Sequence, residues 1–195
     1  APIGLGCYMA SMVGTFGATI AMGYAKTFVL YLVVSIAFYL VFYTIYAFIA
    51  GGKKGVKAFW KNAIPPTLTA LATCSSAASI PVNVTAAKKI GVPADIAETT
   101  IPLGTSFHKD GTIIGSMFKI MFLVCLFGMQ MTTAAEIFGM LGIALVANLL
   151  VTAVPIGGGT ISEMFIITMM GFPVAALPIL TIIATIIDPP ATVLN

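Results

Sequence analysis

Apolar residues run along this chain in blocks long enough to cross a bilayer, whose hydrocarbon core of about 30 Å takes about 20 helical residues. Residues 2–23 make a first block, set with Gly4, Gly6, Gly14, Gly17 and Gly23, small residues that allow close helix contact, and Lys26 ends it. Residues 28–50 make the clearest block, carrying Tyr31, Tyr39, Tyr43 and Tyr46. A loop then follows from Gly51 to Lys61, in which Lys53, Lys54, Lys57 and Lys61 with Trp60 mark a membrane surface. The positive-inside rule makes that surface cytoplasmic.

Beyond it the blocks are interrupted. Residues 62–90 carry Pro65, Pro66, Ser75, Ser76, Ser79, Pro81 and Asn83 and end at a second lysine pair, Lys88 and Lys89. With both lysine clusters on one side, the arms between them, about 18 Å each, are too short to cross twice. The pattern predicts a re-entrant helical hairpin with its tip at the serines, or one tilted, kinked helix. Residues 96–129 form a span broken at His108-Lys109-Asp110; ionisable groups at such depth mark a site, unless the break is a short surface loop. Residues 134–170 repeat the hairpin pattern around Val154-Pro155-Ile156-Gly157-Gly158-Gly159, where three glycines end a helix and free backbone groups for a ligand. Residues 173–195 are a last, truncated span in which a buried Asp188 precedes Pro189-Pro190.

Composition sets the solvent. Of 195 residues 59% are hydrophobic and 8% charged, and the mean hydropathy is +1.10. Soluble domains are about 45–50% apolar and about 25% charged, so the chain reads as an all-α integral membrane protein, multi-pass, of a cell (inner) membrane, surrounded by lipid. Nine bases against six acids give a net charge of +3, too small and too dispersed for a nucleic-acid partner. All nine bases are lysine, so the residue that clamps a carboxylate with two parallel hydrogen bonds is missing. Cys7, Cys74 and Cys125 have neither disulfide nor metal-ligand spacing and read as small packing residues. The chain opens at Ala1 inside an apolar run and stops at Asn195 without a polar tail, which reads as a piece of something longer.

Two hairpin-plus-span units, 62–129 and 134–195, follow one another from opposite faces. Inverted repeats with broken helices place their sites at the midplane, and they point to a secondary transporter.

The motifs now carry a resemblance. Ser75-Ser76-Ala77-Ala78-Ser79-Ile80-Pro81-Val82-Asn83 resembles the first hairpin tip of the dicarboxylate/amino acid:cation symporter family, the glutamate-transporter homologues. Ile101 to Thr112 resembles that family's next span, which usually ends Asn-Met-Asp-Gly-Thr. Val154-Pro155-Ile156-Gly157-Gly158 resembles the second tip, and Asp188 through Thr192 to Asn195 the last span. The resemblance implies a glutamate-transporter-like fold covering the C-terminal half of such a transporter, with residues 1–24 as a scaffold-type helix and 25–195 as the transport core. It also implies a homotrimer for the full-length protein.

Residue by residue it implies that Ser76, with the backbone around Ser75, holds a substrate α-carboxylate together with Asn195. Asp188 pairs with the α-ammonium, Thr192 supports it, Thr112 faces the pocket, and the backbone of Val154 and Gly158 closes over the ligand. Sodium, the expected coupling ion, would use carbonyls near Gly104 and Ser106, the Asp110 carboxylate and the residue at 108; no other cofactor is implied. A dry pocket for a zwitterion needs one such anion and several donors.

Three departures shift the reading. The position of the carboxylate-binding arginine in acidic-substrate members corresponds to Ala191, and Asp188 is retained, which favours a neutral amino acid; the first tip is closest to serine/threonine-type members. His108-Lys109 replaces Asn-Met, so a lysine beside Asp110 can neutralise it as a sodium ion does, with coupling through fewer sodium ions, through protons or through none; alternatively Lys109 snorkels or pairs with Glu163. Pro189-Pro190 removes two amide donors and breaks the helix, exposing carbonyls to a ligand or distorting the pocket of an inactive copy.

The expectation is a cation-coupled, elevator-type symporter of a small neutral amino acid. The alternatives are an acidic or dicarboxylate carrier, or a cation-independent exchanger, using Lys109. An intramembrane enzyme is disfavoured by the absence of a nucleophile motif or HExxH, and a channel or structural subunit is a further alternative.

Overall fold

Long apolar runs without β-alternation, punctuated by proline and glycine, favour helices that stop and restart. The computed structural model describes residues 17–131, 133–153 and 158–195, together with positions 6, 7, 10 and 14, and every regular element among them is helical. Two helices, Ala21–Asn62 and Val174–Leu194, are long and apolar enough to cross a membrane by length and composition.

The first helix, α1 (Ala18–Asn62), departs from expectation twice. It runs through Lys26 without a break, because lysine is a good helix former and a charge alone does not interrupt backbone hydrogen bonds. It also resumes after Gly51 and Gly52, so that the expected loop of residues 51–61 is helical apart from those two glycines. Gly52 bends the chain at φ 57° and ψ −152°, a conformation closed to other residues.

Helix α2 (Ile64–Thr73) opens with Pro65 and Pro66 in its first turn, where a missing N–H costs nothing. It closes at Cys74, left-handed at φ 49°, whose N–H donates to the Ala70 carbonyl. Ser75 is extended and caps α3 (Ser76–Lys89), its Oγ accepting from the Ala78 N–H at 3.2 Å. Lys88 and Lys89 complement the negative end of α3. Helix α4 (Ala94–Phe107) follows a turn through Gly91 and is tied to α3 by the Lys88–Glu98 ion pair. Helix α2 packs on α3, and α3 on α4. A two-residue break at His108 and Lys109 separates α4 from α5 (Asp110–Leu126), as the broken span required.

Helix α6 (Ala134–Ala153) packs against α7 (Gly158–Met170). The tip expected between them, Val154 to Gly157, lies outside the described residues. A 3₁₀ turn, Val174–Ala176, leads into α8 (Leu177–Leu194). Pro189 and Pro190 do not break α8: it runs through both to Leu194. Their missing N–H groups cost α8 the bonds that would reach the Thr185 and Ile186 carbonyls, but flanking packing keeps the helix together.

The chain divides into two compact units, Leu32–Thr112 with Asp188–Asn195, and Ala1–Tyr31 with Ile113–Ile187. In the second, Ile120, Leu123, Ile166, Ile179, Leu180 and Ile182 are fully buried. Tyr31 meets Phe118 edge-on, and Tyr24 stacks on Phe122 at 5.2 Å.

Candidate functional site

The unit formed by Leu32–Thr112 and Asp188–Asn195 encloses a cavity of about 410 Å³. The expected residues Ser76, Gly104, His108, Thr192 and Asn195 all line it, joined by Thr67, Ser79, Asn83 and Thr105. Tyr39 and Tyr43 on α1 form an aromatic wall; the Tyr43 hydroxyl donates to the Leu194 carbonyl at 2.6 Å, and the Tyr39 hydroxyl bonds Thr67 Oγ1. These tyrosines were not singled out as site residues; their i,i+4 spacing was the available signal.

Proline and glycine turns bring helix ends to this cavity. Ser76 is the first residue of α3, so a helix N-terminus with its free N–H groups and positive dipole end lies at the lining. Gly104 lies one turn before the end of α4, and its carbonyl accepts the His108 N–H at 2.7 Å. The last carbonyls of α4 and the Asp110 carboxylate at the start of α5 are oxygen donors suited to a hard monovalent cation.

His108, rather than Lys109, is the residue on Asp110: Nε2 lies 3.2 Å from Oδ2. Lys109 is half-buried and makes no ion pair among the described residues. The backbone explains the exchange. His108 caps α4 in an extended conformation and reaches across the break to Asp110, the first residue of α5, while Lys109 lies between the two helix ends.

Asn195 and Thr112 meet, but they engage one another. The Thr112 N–H donates to Asn195 Oδ1 at 3.1 Å, and Asn195 Nδ2 donates to Thr112 Oγ1 at 2.7 Å, so Asn195 caps the first turn of α5 from α8. The approach is permitted by Gly111, where a Cβ would lie 2.2 Å from the Ala191 carbonyl oxygen. Truncating Asn195 to alanine is expected to lower the stability of the full-length protein by about 1–3 kcal/mol, because the Thr112 N–H loses its partner. Thermal unfolding in detergent checks this, and Asn195→Ala combined with Thr112→Val should lose less than the sum of the single losses.

Asp188, expected to be buried, is exposed; it stands one turn before Thr192 on α8, within electrostatic range of the Cys74 thiol at the α2–α3 turn. Ser75 serves as the cap of α3 and does not line the cavity, and Ser106 is exposed on the last turn of α4. Gly158 opens α7 in the other unit, and Val154 lies outside the described residues. Ala191 is buried. No group of three or more potential metal-binding His, Cys, Asp or Glu side chains occurs among the described residues.

One alternative for Lys109, a pair with Glu163, gives way to another lysine. Glu163 on α7 faces Lys119 of α5, not Lys109: Lys119 Nζ lies 3.7 Å from Oε1, and Thr181 of α8 donates to Oε2 at 2.7 Å. Nearby, buried Asn148 donates to Ser116 Oγ at 3.1 Å. Lys119 was legible as a lone cation inside an apolar run, the pattern that demands a partner.

Residues 1–195 match the model of the sodium:dicarboxylate symporter family, a family of membrane transporters. The human neutral amino acid transporter A is 28% identical over 144 residues, covering 73% of this chain and 27% of that protein. The proton/sodium-glutamate symport protein of Bacillus subtilis (strain 168) is 29% identical over 198 residues, covering 100% of this chain and 44% of that protein. The chain thus spans less than half the length of these curated relatives, and no solved structure matches it. With the family model matched along its whole length, the chain belongs to the sodium:dicarboxylate symporter family.

Proposed function

We propose that the full-length protein is a secondary active symporter for a small neutral amino acid, coupled to sodium or protons. One observation carries this reading: the cavity that gathers Ser76, Thr192 and Asn195 is lined by hydroxyls, amides and aromatic rings, with no arginine, lysine, aspartate or glutamate among its lining residues. Among those residues only His108 can carry a positive charge, and it already faces Asp110 at 3.2 Å; a second carboxylate finds no lysine or arginine partner there, whereas a neutral side chain needs none. Ala191 and the absence of arginine from the chain support the same conclusion, as does likeness to a relative named for neutral amino acids.

In this reading the N-terminus of α3 at Ser76 receives the α-carboxylate, and Asp188, above Thr192, receives the α-ammonium. Sodium, carried as co-substrate, is held by the last carbonyls of α4 and by Asp110, with His108 as the group that competes for that carboxylate. The helix pairs α2–α3 and α6–α7 serve as re-entrant hairpins of inverted repeats, with residues 1–24 as scaffold and 25–195 as transport core. That core moves as an elevator within a multi-pass homotrimer of the inner membrane.

Thermal unfolding of the purified full-length protein tests the proposal, since a ligand of the native state stabilises it by mass action, about 2.7 kcal/mol at a hundredfold excess over Kd. Serine or alanine should raise the transition temperature only with sodium present, or only at low pH if the proton is the coupling ion. A shift produced by aspartate or succinate alone would overturn the neutral-substrate reading. A serine shift indifferent to both sodium and pH would remove the coupling.

A further inference from the structure

The segment after the Gly51–Gly52 bend folds back on the helix it came from. A Cβ on Gly55 would lie 2.6 Å from the Ala47 carbonyl oxygen, the Phe59 ring meets Tyr43 edge-on at 6.2 Å, and Trp60 meets Tyr39 edge-on at 5.1 Å. The Trp60 Nε1–H also donates to Thr44 Oγ1 at 3.0 Å. Contacts that descend through 47, 44, 43 and 39 as the chain ascends through 55, 59 and 60 define an antiparallel pair. The docked face uses Gly55, Phe59 and Trp60; the other carries Lys53, Lys57 and Lys61 at four-residue spacing, flanked by Lys54.

All four lysines are exposed, and none makes an ion pair among the described residues. No aspartate or glutamate occurs in the chain before Asp95, so the stripe has no counter-charge from its own or any preceding element. Beside the bend, Ile45, Phe48 and Ile49 are 44%, 54% and 77% exposed. An apolar surface that large at the root of an unpaired cationic stripe fits hydrocarbon meeting phosphate.

We propose that Lys53, Lys54, Lys57 and Lys61 dock this helix on anionic phospholipid headgroups, with Ile45, Phe48 and Ile49 in the adjoining acyl region. The stripe is built for a diffuse layer of phosphates: lysine ammoniums are point charges on flexible stems, without the fork that fixes one planar anion. The docking is independent of which substrate the protein carries.

The test uses the full-length protein reconstituted in vesicles of phosphatidylcholine with phosphatidylglycerol, extracted in mild detergent, with retained phosphatidylglycerol counted by mass spectrometry. K53Q/K54Q/K57Q/K61Q should lose most of the retained lipid, and K57Q alone should weaken retention about fivefold, the effect of one lysine near an anionic surface. The quadruple arginine variant should retain it, and rising salt should release it from the wild type. Because these side chains are exposed, the variants are expected to fold; a wild-type unfolding temperature in phosphatidylcholine verifies that. Equal retention by wild type and both glutamine variants would overturn the proposal, and so would release of the lipid by equimolar inorganic phosphate, which would indicate a small-anion site.

Discussion

Gly111→Ala is expected to destabilise the full-length protein by at least about 3 kcal/mol, at the upper end of what overpacking costs. The added Cβ would sit 2.2 Å from the Ala191 carbonyl oxygen, 2.7 Å from its Cα and 2.8 Å from its carbonyl carbon. All three are backbone atoms of α8, so no side-chain rotation relieves the clash. Restoring an ordinary carbon–oxygen contact requires the strands of backbone to part by roughly 1 Å, which in turn stretches both Thr112–Asn195 hydrogen bonds. Gly139→Ala is the control: a Cβ there meets nothing within 4 Å, and alanine is the better helix former. Thermal unfolding in detergent reads both. A Gly111→Ala protein within about 0.5 kcal/mol of wild type, the usual range of an inconsequential surface change, would mean that α5 and α8 do not approach as described.

The second large effect is expected at Lys119. Its side chain is 7% exposed and that of its partner Glu163 4%, so neither charge has water to fall back on. Lys119→Met leaves the carboxylate buried with the Thr181 hydroxyl as its donor, and breaking a buried pair from one side costs about 3–5 kcal/mol. Lys119→Met with Glu163→Gln removes both charges at nearly constant volume and should recover most of that loss, because no charge is left buried and the new amide carbonyl can still accept from Thr181. A double variant as unstable as the single one would show that the two residues act independently and that α5 and α7 are held together by packing alone.

Both sites show how far the residues speak for themselves. The division into helices was largely legible. Prolines at 65 and 66 and the Cys74–Ser75 cap mark where α2 begins and where it gives way to α3, and three ionisable residues mark the gap between α4 and α5. These are local signals, carried by backbone sterics and by side chains that bond their own neighbours. Where the signal was compositional it misled. Four lysines suggested a loop at 51–61, yet the apolar residues between them, Val56, Phe59 and Trp60, have helical spacing and a docking surface one bend away. Pro189-Pro190 suggested a break, yet α8 continues, since a proline's cost of about 3 kcal/mol is within what tertiary packing can offset.

The sequence by itself determined the solvent, the helical class, the family and a minority of the cavity's polar lining, Ser76, His108, Thr192 and Asn195, because apolar content, helix punctuation and motif order are properties of neighbours along the chain. Only the tertiary structure decided pairings between distant residues: His108 rather than Lys109 on Asp110, Lys119 rather than Lys109 against Glu163, and Asn195 on Thr112. A charge of the right sign and depth is available at both 109 and 119, and nothing local distinguishes them. The choice depends on which helix face turns toward the partner. That rotation is set by contacts such as Gly111 against Ala191 and Gly115 against Ile187, made only once the helices have packed.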